Sequence, residues 1–164
     1  MGYKSQIESE ENIKNFVLNT EIKTHNDLLK LRDKLMSVLE IRPYNDETKE
    51  HERQIRWRRT ASEVLKDGYV YQGKSFTDLV LTFLALCKAK NLETKFVKLK
   101  FDKYIHSVAE IKLQDGWYNF DVAKKDSIPQ KGQIKEDDTR LWKKGMDSWD
   151  LGLVEFDSIK KIEK

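Results

Sequence analysis

The hydrophobic positions in the first part of the chain recur at steps of three and four residues, the period of an amphipathic α-helix. One such apolar stripe consists of Leu28, Leu31, Leu35, Val38 and Leu39. Thr24 or Asn26 could cap this helix. Pro43 would end it at Ile41-Arg42, because the residue before a proline disfavours the helical conformation. A second, highly charged helix is predicted over about 46–66, with a glycine soon after it as the exit.

The central part of the chain changes from a helical to an alternating pattern. Residues 76–90 are apolar around the whole helical circumference, which predicts a buried central helix. Alternation with a period of two follows over 96–101 and 105–113. Asp115-Gly116 then leads into a third apolar run, 117–122, and Asp-Gly between such runs predicts an antiparallel hairpin. The predicted class is therefore α+β, with a buried helix packed on a small antiparallel sheet.

The hairpin determines how close His106 and Asp121 can come. If Asp115-Gly116 is a two-residue turn, paired positions sum to 231 and Glu110 faces Asp121. His106 and Asp121 then share one face of the sheet but lie four residues out of register, about 13 Å along the strand. A three-residue loop through Gln114 would place them on opposite faces. The pattern permits a histidine–carboxylate pair without requiring one.

Composition narrows the classes of protein that fit. The chain has 164 residues, enough for one domain or one domain with a helical appendage. Its 31 basic and 28 acidic residues leave a net charge of +3, too balanced to indicate nucleic-acid binding alone. No apolar run is long enough for a membrane helix, and the first residues lack the apolar segment of a secretory signal. We therefore expect a cytoplasmic protein that does not bind a membrane.

Metal, disulfide and cofactor chemistry have no sequence signal. The single cysteine, Cys87, excludes an internal disulfide and a cysteine-rich zinc site. The three histidines, at positions 25, 51 and 106, do not have metal-ligand spacing. The sequence also contains no glycine-rich phosphate loop. We expect no metal and no cofactor, and we interpret Cys87 as a core residue.

The order of several motifs matches that of a known family. The buried helix is followed by a strand with His106-Ser107-Val108-Ala109-Glu110-Ile111, then a tryptophan after the Asp-Gly turn, and then Phe120-Asp121. The segments 59–65 and 146–152 complete the pattern. Together these pieces, over about 57–155, resemble the transglutaminase-like superfamily, whose core is similar to that of the papain-like cysteine peptidases. The resemblance implies a transglutaminase-like core domain over 57–164, preceded by an N-terminal helical arm or layer over 1–56.

The family's nucleophile is where this chain departs from the pattern. In the family, a cysteine thiolate opens the buried helix, a histidine transfers its proton, and a carboxylate orients the histidine. The resemblance places His106 and Asp121 in the last two roles. Counting back without gaps puts Phe76 at the cysteine position, and a one-residue gap puts Ser75 there instead. Neither residue carries a thiol.

The sequence is compatible with two interpretations of this site. The first is a degenerate domain without catalysis, in which Ser75, His106 and Asp121 are vestigial and the cleft binds a peptide or protein. The second is an active amidase, peptidase or acyl transferase with Ser75 as nucleophile, His106 as base and Asp121 as orienter. Beside this second interpretation stands an inactivated cysteine enzyme of this superfamily, in which the serine or the phenylalanine replaces the cysteine. Ser75 also has the spacing of a helix cap with Asp78.

A third hypothesis concerns the arginine-rich segment. Four arginines surround Trp57, at positions 53, 56, 58 and 59, and could contact phosphates with the indole as a stacking plane. This predicts a nucleic-acid or acidic-partner module. Helical spacing spreads the arginines over more than one face, and glutamates lie nearby. A solvated helix with ion pairs is therefore the preferred interpretation, and nucleic acid is not the expected partner.

Overall fold

The computed structural model describes residues 4–72 and 76–163, and it confirms the α+β class. The elements in chain order are α1 (Glu11–Phe16), α2 (His25–Val38), β1 (Glu40–Arg42), α3 (Lys49–Ile55), α4 (Ala61–Asp67), β2 (Tyr69–Tyr71), α5 (Phe76–Ala89), β3 (Thr94–Lys100), β4 (Ile105–Leu113), β5 (Gly116–Phe120), β6 (Gln130–Lys131), β7 (Leu141–Gly145), a 3₁₀ turn (Phe156–Ile159) and α6 (Lys160–Glu163). Among the described residues, no helix is both long and apolar enough to cross a membrane.

Helix α5 is the centre of the fold, as its uniform apolarity predicts. Every residue from Thr77 to Cys87 is buried. One side of the helix packs on β3 and β4 of a five-stranded antiparallel sheet with the order β6-β5-β4-β3-β7. Phe83 of α5 meets Phe120 of β5 edge to face, with ring centroids 5.6 Å apart. The sheet therefore covers one side of a helix that has no solvated face along most of its length.

The N-terminal helices cover the other side of α5. Helices α1, α2 and α4 all contact it, and one continuous apolar cluster extends from Ile7 to Ile162. Strands β1 and β2 form a separate parallel pair beside these helices. Burial of this cluster removes a large apolar area from water, which is the main stabilising contribution in a domain of this size. The helical layer and the sheet therefore share one core.

The two predicted N-terminal helices are shorter than expected. The first ends at Val38, because Glu40–Arg42 pairs in parallel with Tyr69–Tyr71. The predicted second helix is divided into α3 and α4 at Trp57, whose φ of +60° is left-handed. Helix α4 then begins at a capping box in which Thr60 and Glu63 bond each other's backbone N–H groups. The pairing of β1 with β2 thus shortens the first predicted helix, and the break at Trp57 with the cap at Thr60 divides the second.

Strand β7 has no alternating pattern and is identified only by its pairing. Leu141–Gly145 pairs with the outer side of β3, with a register shift between Lys98 and Leu99. Both faces of the strand are partly exposed, so its hydrophobic pattern is weak. The backbone hydrogen bonds along β3 define this strand.

Gln6 joins three distant parts of the chain. Its side-chain N–H donates to the backbone carbonyls of Trp57, at 3.1 Å, and Arg59, at 3.0 Å. Its side-chain oxygen accepts from the backbone N–H and the hydroxyl of Ser148. The Asp147 carboxylate accepts the Gln6 backbone N–H at 2.7 Å. This buried amide therefore fixes the 57–59 segment, which forms one wall of the cavity described below.

Gln6→Ala should lower the free energy of unfolding by about 2–4 kcal/mol, because it leaves several buried polar groups unpaired. Urea unfolding followed by circular dichroism measures this loss. Gln54→Ala, at an exposed position of α3, is the matched control and should change stability by less than about 0.5 kcal/mol. A loss of equal size in the two variants would contradict the proposed role of Gln6.

Candidate functional site

A cavity of about 370 Å³ opens at the first turn of α5. Its walls come from the 56–57 segment, the start of α5, β3, the start of β4, and residues 123–124. Phe76, Val80 and Ile105 supply apolar surface, and Lys98 and His106 supply polar groups. An apolar pocket with a few convergent polar groups is the usual form of a small-ligand site.

His106 lines this cavity and contacts Asp121 directly. His106 Nε2 lies 2.7 Å from Asp121 Oδ1, and both side chains are slightly more than one-quarter exposed. The bond to the carboxylate fixes the ring plane and leaves Nδ1 as the second ring nitrogen. A histidine held in this way can accept or donate a proton at Nδ1.

The expected register of the hairpin is wrong by two residues. Gly116 pairs with Leu113, so the turn consists of Gln114-Asp115 and not of Asp115-Gly116. Gly116 starts β5 with a φ of +121°, a conformation that favours glycine. Asp115 is held in the turn by the Tyr118 hydroxyl, which donates to its carboxylate at 2.7 Å. Pairing continues to Ala109 and Phe120, so Asp121 follows directly and lies two residues closer to His106 than predicted.

The nucleophile position is only partly described. Ser75 lies outside the described residues, so its predicted roles as helix cap and as nucleophile stay predictions. Phe76 is the first residue of α5 in the structure, is half-buried, and lines the same cavity as His106. An aromatic ring therefore forms part of the wall that His106 faces.

Cys87 is a core thiol. Its side chain is fully buried within α5, and burial raises its pKa well above the ordinary range of a thiol. It lies eleven residues after Phe76 and is not part of the cavity wall. Because the chain has one cysteine, no thiol is available to the cleft.

A buried lysine and two hydroxyls form a cluster on the cavity wall that was not identified from the sequence. Lys98 Nζ donates to Ser107 Oγ at 2.7 Å and to Thr77 Oγ1 at 3.1 Å, and the two hydroxyls lie 2.9 Å apart. Lys98 lies two residues after Phe96, on the same face of its strand, and this spacing alone could have predicted that the lysine is buried. Among the described residues, no carboxylate lies within ion-pair distance of Lys98.

Burial lowers the pKa of Lys98 to about 7. The nearby positive charge of Arg56 lowers the pKa further, and the charge of Asp78 opposes that effect. Burial in turn raises the pKa of Asp78 to about 6, although Arg59 favours its ionised form. The first turn of α5 and the adjoining strand therefore hold two titratable groups with shifted pKa values, which is common at functional sites.

The interpretation of the arginine-rich segment as a solvated helix is wrong for Arg56 and Arg59. Arg56 is buried and makes a two-pronged contact with Glu52, with Nε and Oε2 2.8 Å apart. Arg59 is buried and donates to Asp78 from Nη2 at 2.9 Å. Trp57 is 2% exposed. The indole has no free face for a nucleobase, and these two arginines already hold carboxylates.

The free energy of unfolding of the wild type, relative to Lys98→Met, should rise with pH between about 7 and 10.5. Unfolding restores the lysine pKa to 10.5, so in this interval the unfolded chain binds a proton that the folded chain has lost. The limiting slope is about 1.4 kcal/mol per pH unit. Below pH 7 both states carry the charge, and the difference should be flat.

Chemical denaturation at a series of pH values measures this difference. Lys100→Met is the matched control, since Lys100 is exposed on the same strand and keeps its contact with water on folding. If the difference in unfolding free energy between wild type and Lys98→Met stays constant from pH 7 to 10, the lowered pKa of Lys98 is contradicted.

The fold is similar to that of a solved structure described as a "putative cysteine protease" from Cytophaga hutchinsonii. The two share a TM-score of 0.58 and 14% sequence identity. The match covers 92% of this chain and 47% of the other, so this chain spans about half the length of that structure. No protein-family model and no curated protein matches the sequence. The chain therefore has the fold of a cysteine protease-like protein.

Proposed function

We propose that this protein is a transglutaminase-like domain, of the papain-like fold, that no longer carries out thiol catalysis and binds a peptide or protein segment in the cleft at the start of α5. One observation carries the proposal. His106, which is paired with Asp121, lines a cavity whose wall also contains Phe76, while the chain's single thiol is buried in the core. The cleft thus has the histidine and carboxylate that would assist a nucleophile, but it has no thiol.

The arrangement of elements supports the assignment to this superfamily. The start of a buried helix and a histidine near the start of one strand line one cavity, and an aspartate after the next strand bonds that histidine. The similarity to a cysteine protease-like fold agrees with that arrangement. The pairing through Nε2 leaves Nδ1 for a reacting group, which is the arrangement a histidine base needs.

The chemistry of the cleft favours binding over turnover. Phe76 cannot form an acyl intermediate, so His106 has no thiol proton to accept. Phe76, Val80 and Ile105 provide apolar contacts, and Ser107 and Thr77 provide hydroxyl groups. A peptide bound there would make hydrophobic and hydrogen-bond contacts without attack on its carbonyl carbon.

A serine hydrolase is the second candidate, favoured by the short contact between His106 and Asp121. In that reaction the Ser75 hydroxyl would add to a carbonyl carbon, His106 would take its proton and return it to the leaving amine, and water would release the acyl group. The requirement is an alignment of Ser75 Oγ with Nδ1 at about 2.6–3.2 Å.

Incubation with a glutamine-donor peptide and a primary amine should release no ammonia above the blank, because the cleft lacks a thiol nucleophile. A fluorophosphonate probe should likewise leave Ser75 unlabelled in mass spectra of tryptic peptides. Ammonia release that is abolished by Ser75→Ala, or labelling at Ser75, would overturn inactivity and establish the serine hydrolase.

Phe76→Cys should create a reactive thiol, because a cysteine there would lie at a helix N-terminus beside His106. We expect alkylation by iodoacetamide at about pH 6 to be at least tenfold faster than at Ser37→Cys, an exposed control near the end of α2. Adding His106→Ala should remove most of this advantage.

Mass spectrometry of the intact protein over time measures these rates, and buried Cys87 should stay unmodified. Equal rates for the Phe76 and Ser37 variants would show that Phe76 does not occupy a former nucleophile position.

A further inference from the structure

We propose that the cleft is a carboxylate-binding site in which Lys98 is the counter-ion for an ionised carboxyl group of a peptide or acylated amino acid. The inference rests on the proposed function, since it names the chemistry of the ligand in the same cleft. The carboxylate is either the C-terminal group of a peptide or the side chain of an aspartate or glutamate.

The charge on the cavity wall is the first argument. Among the described lining residues there is no aspartate or glutamate, and the charged ones are Arg56, Lys98 and Lys124. Arg56 is already neutralised by Glu52. No carboxylate among the described residues bonds the buried Lys98, and Asp78, whose charge acts on it, is already paired with Arg59. A buried cation is costly unless it is paired. A ligand carboxylate would supply the missing negative charge.

The hydrogen-bond inventory of the lysine cluster is the second argument. A lysine ammonium has three N–H donors, and each of the two hydroxyls has one O–H donor. Lys98 gives one N–H to Ser107 and one to Thr77, and one hydroxyl donates to the other. One N–H and one O–H therefore have no acceptor within the cluster. A carboxylate has two acceptor oxygens and matches both.

Trp57 is the third argument. Its indole Nε1–H is buried with no acceptor among the described residues, and its ring lies 5.6 Å from Lys98 Nζ. Its backbone is left-handed, a strained conformation for a residue other than glycine. Such strain persists where surrounding contacts impose it, and Gln6 supplies two of those contacts. The wall segment beside Lys98 is thus held in a fixed shape by contacts from a distant part of the chain.

The size of the cavity limits the ligand to a small group or the end of a chain. A volume of about 370 Å³ is at the lower end of the range for small-molecule sites. It admits one acylated amino acid, with its apolar part against Phe76 and Val80. A folded partner could insert only one side chain or its C-terminus.

Three related probes separate the possible sources of the carboxylate. N-acetylglutamine carries only the α-carboxylate, N-acetylisoglutamine carries only the side-chain carboxylate, and N-acetylglutaminamide carries neither. Binding is followed in ¹H–¹⁵N spectra of the full chain at about pH 6, where the carboxyl groups are ionised and Lys98 is protonated. The reporters are the backbone amides of Thr77 and Ser107.

We expect at least one acidic probe to bind tenfold or more tightly than the neutral diamide. The preferred acid identifies the carboxylate as terminal or side-chain. Lys98→Met should reduce the preference to less than threefold, whereas Lys100→Met, on the same strand and exposed, should retain it. The comparison of probes on the wild type stands even if Lys98→Met does not fold.

Each contrary outcome has a distinct meaning. Equal binding of the acidic and neutral probes overturns the carboxylate site and leaves the binding cleft in place. A preference for acids that survives Lys98→Met overturns Lys98 as the counter-ion. Absence of shifts at Thr77 and Ser107 with every probe overturns the binding cleft itself and, with it, the carboxylate site.

Discussion

Burial of α5 on all sides is the constraint on which the rest of the structure depends. A helix without a solvated face needs a sheet on one side and other helices on the opposite side, and one cluster here provides both. Polar side chains lie at its first turn, where Thr77 bonds Ser107 and Asp78 pairs with Arg59. The cavity lies there, where the apolar helix meets the start of β4. The site is therefore a consequence of where the buried helix begins.

Cationic side chains in the interior are stabilised in two ways, by ion pairs with carboxylates or by hydrogen bonds to hydroxyl groups. Arg56 and Arg59 are buried and each is held by a carboxylate, and Lys144 is held by the buried Glu110. Removing the carboxylate beside Arg56 or Arg59 would therefore take the paired anion from a buried cation. Lys98 is solvated by hydroxyl groups instead, and burial lowers its pKa. The first solution stabilises a fixed structure. The second holds Lys98 by neutral hydroxyl groups alone, among the described residues, so its charge is not fixed by an anion.

Sequence reasoning succeeded where one local rule decides the structure. Uniform apolarity was enough to predict the buried helix, and Asp-Gly was enough to locate the hairpin within two residues. It did not predict the break at Trp57, because a left-handed residue other than glycine is imposed by distant contacts such as those of Gln6. The family resemblance predicted roles for His106 and Asp121. Their contact depends on the register of the hairpin, which the turn residues alone do not determine. The alternation along β3 places Lys98 on the same face as the buried Phe96, which could have indicated that Lys98 is buried. Its hydroxyl partners come from α5 and β4, so the alternation could not identify them.

The bond from Gln6 to Ser148 has a consequence for the order of folding. It joins positions 142 residues apart, and the same amide holds the 57–59 segment. Closing so long a loop is entropically costly, so contacts of this kind form after local helices and hairpins. During synthesis the amide cannot complete its bonds until residue 148 has left the ribosome. The helix and the hairpin can thus assemble early, while the cavity wall around Trp57 reaches its final shape only when the two distant ends of the domain meet.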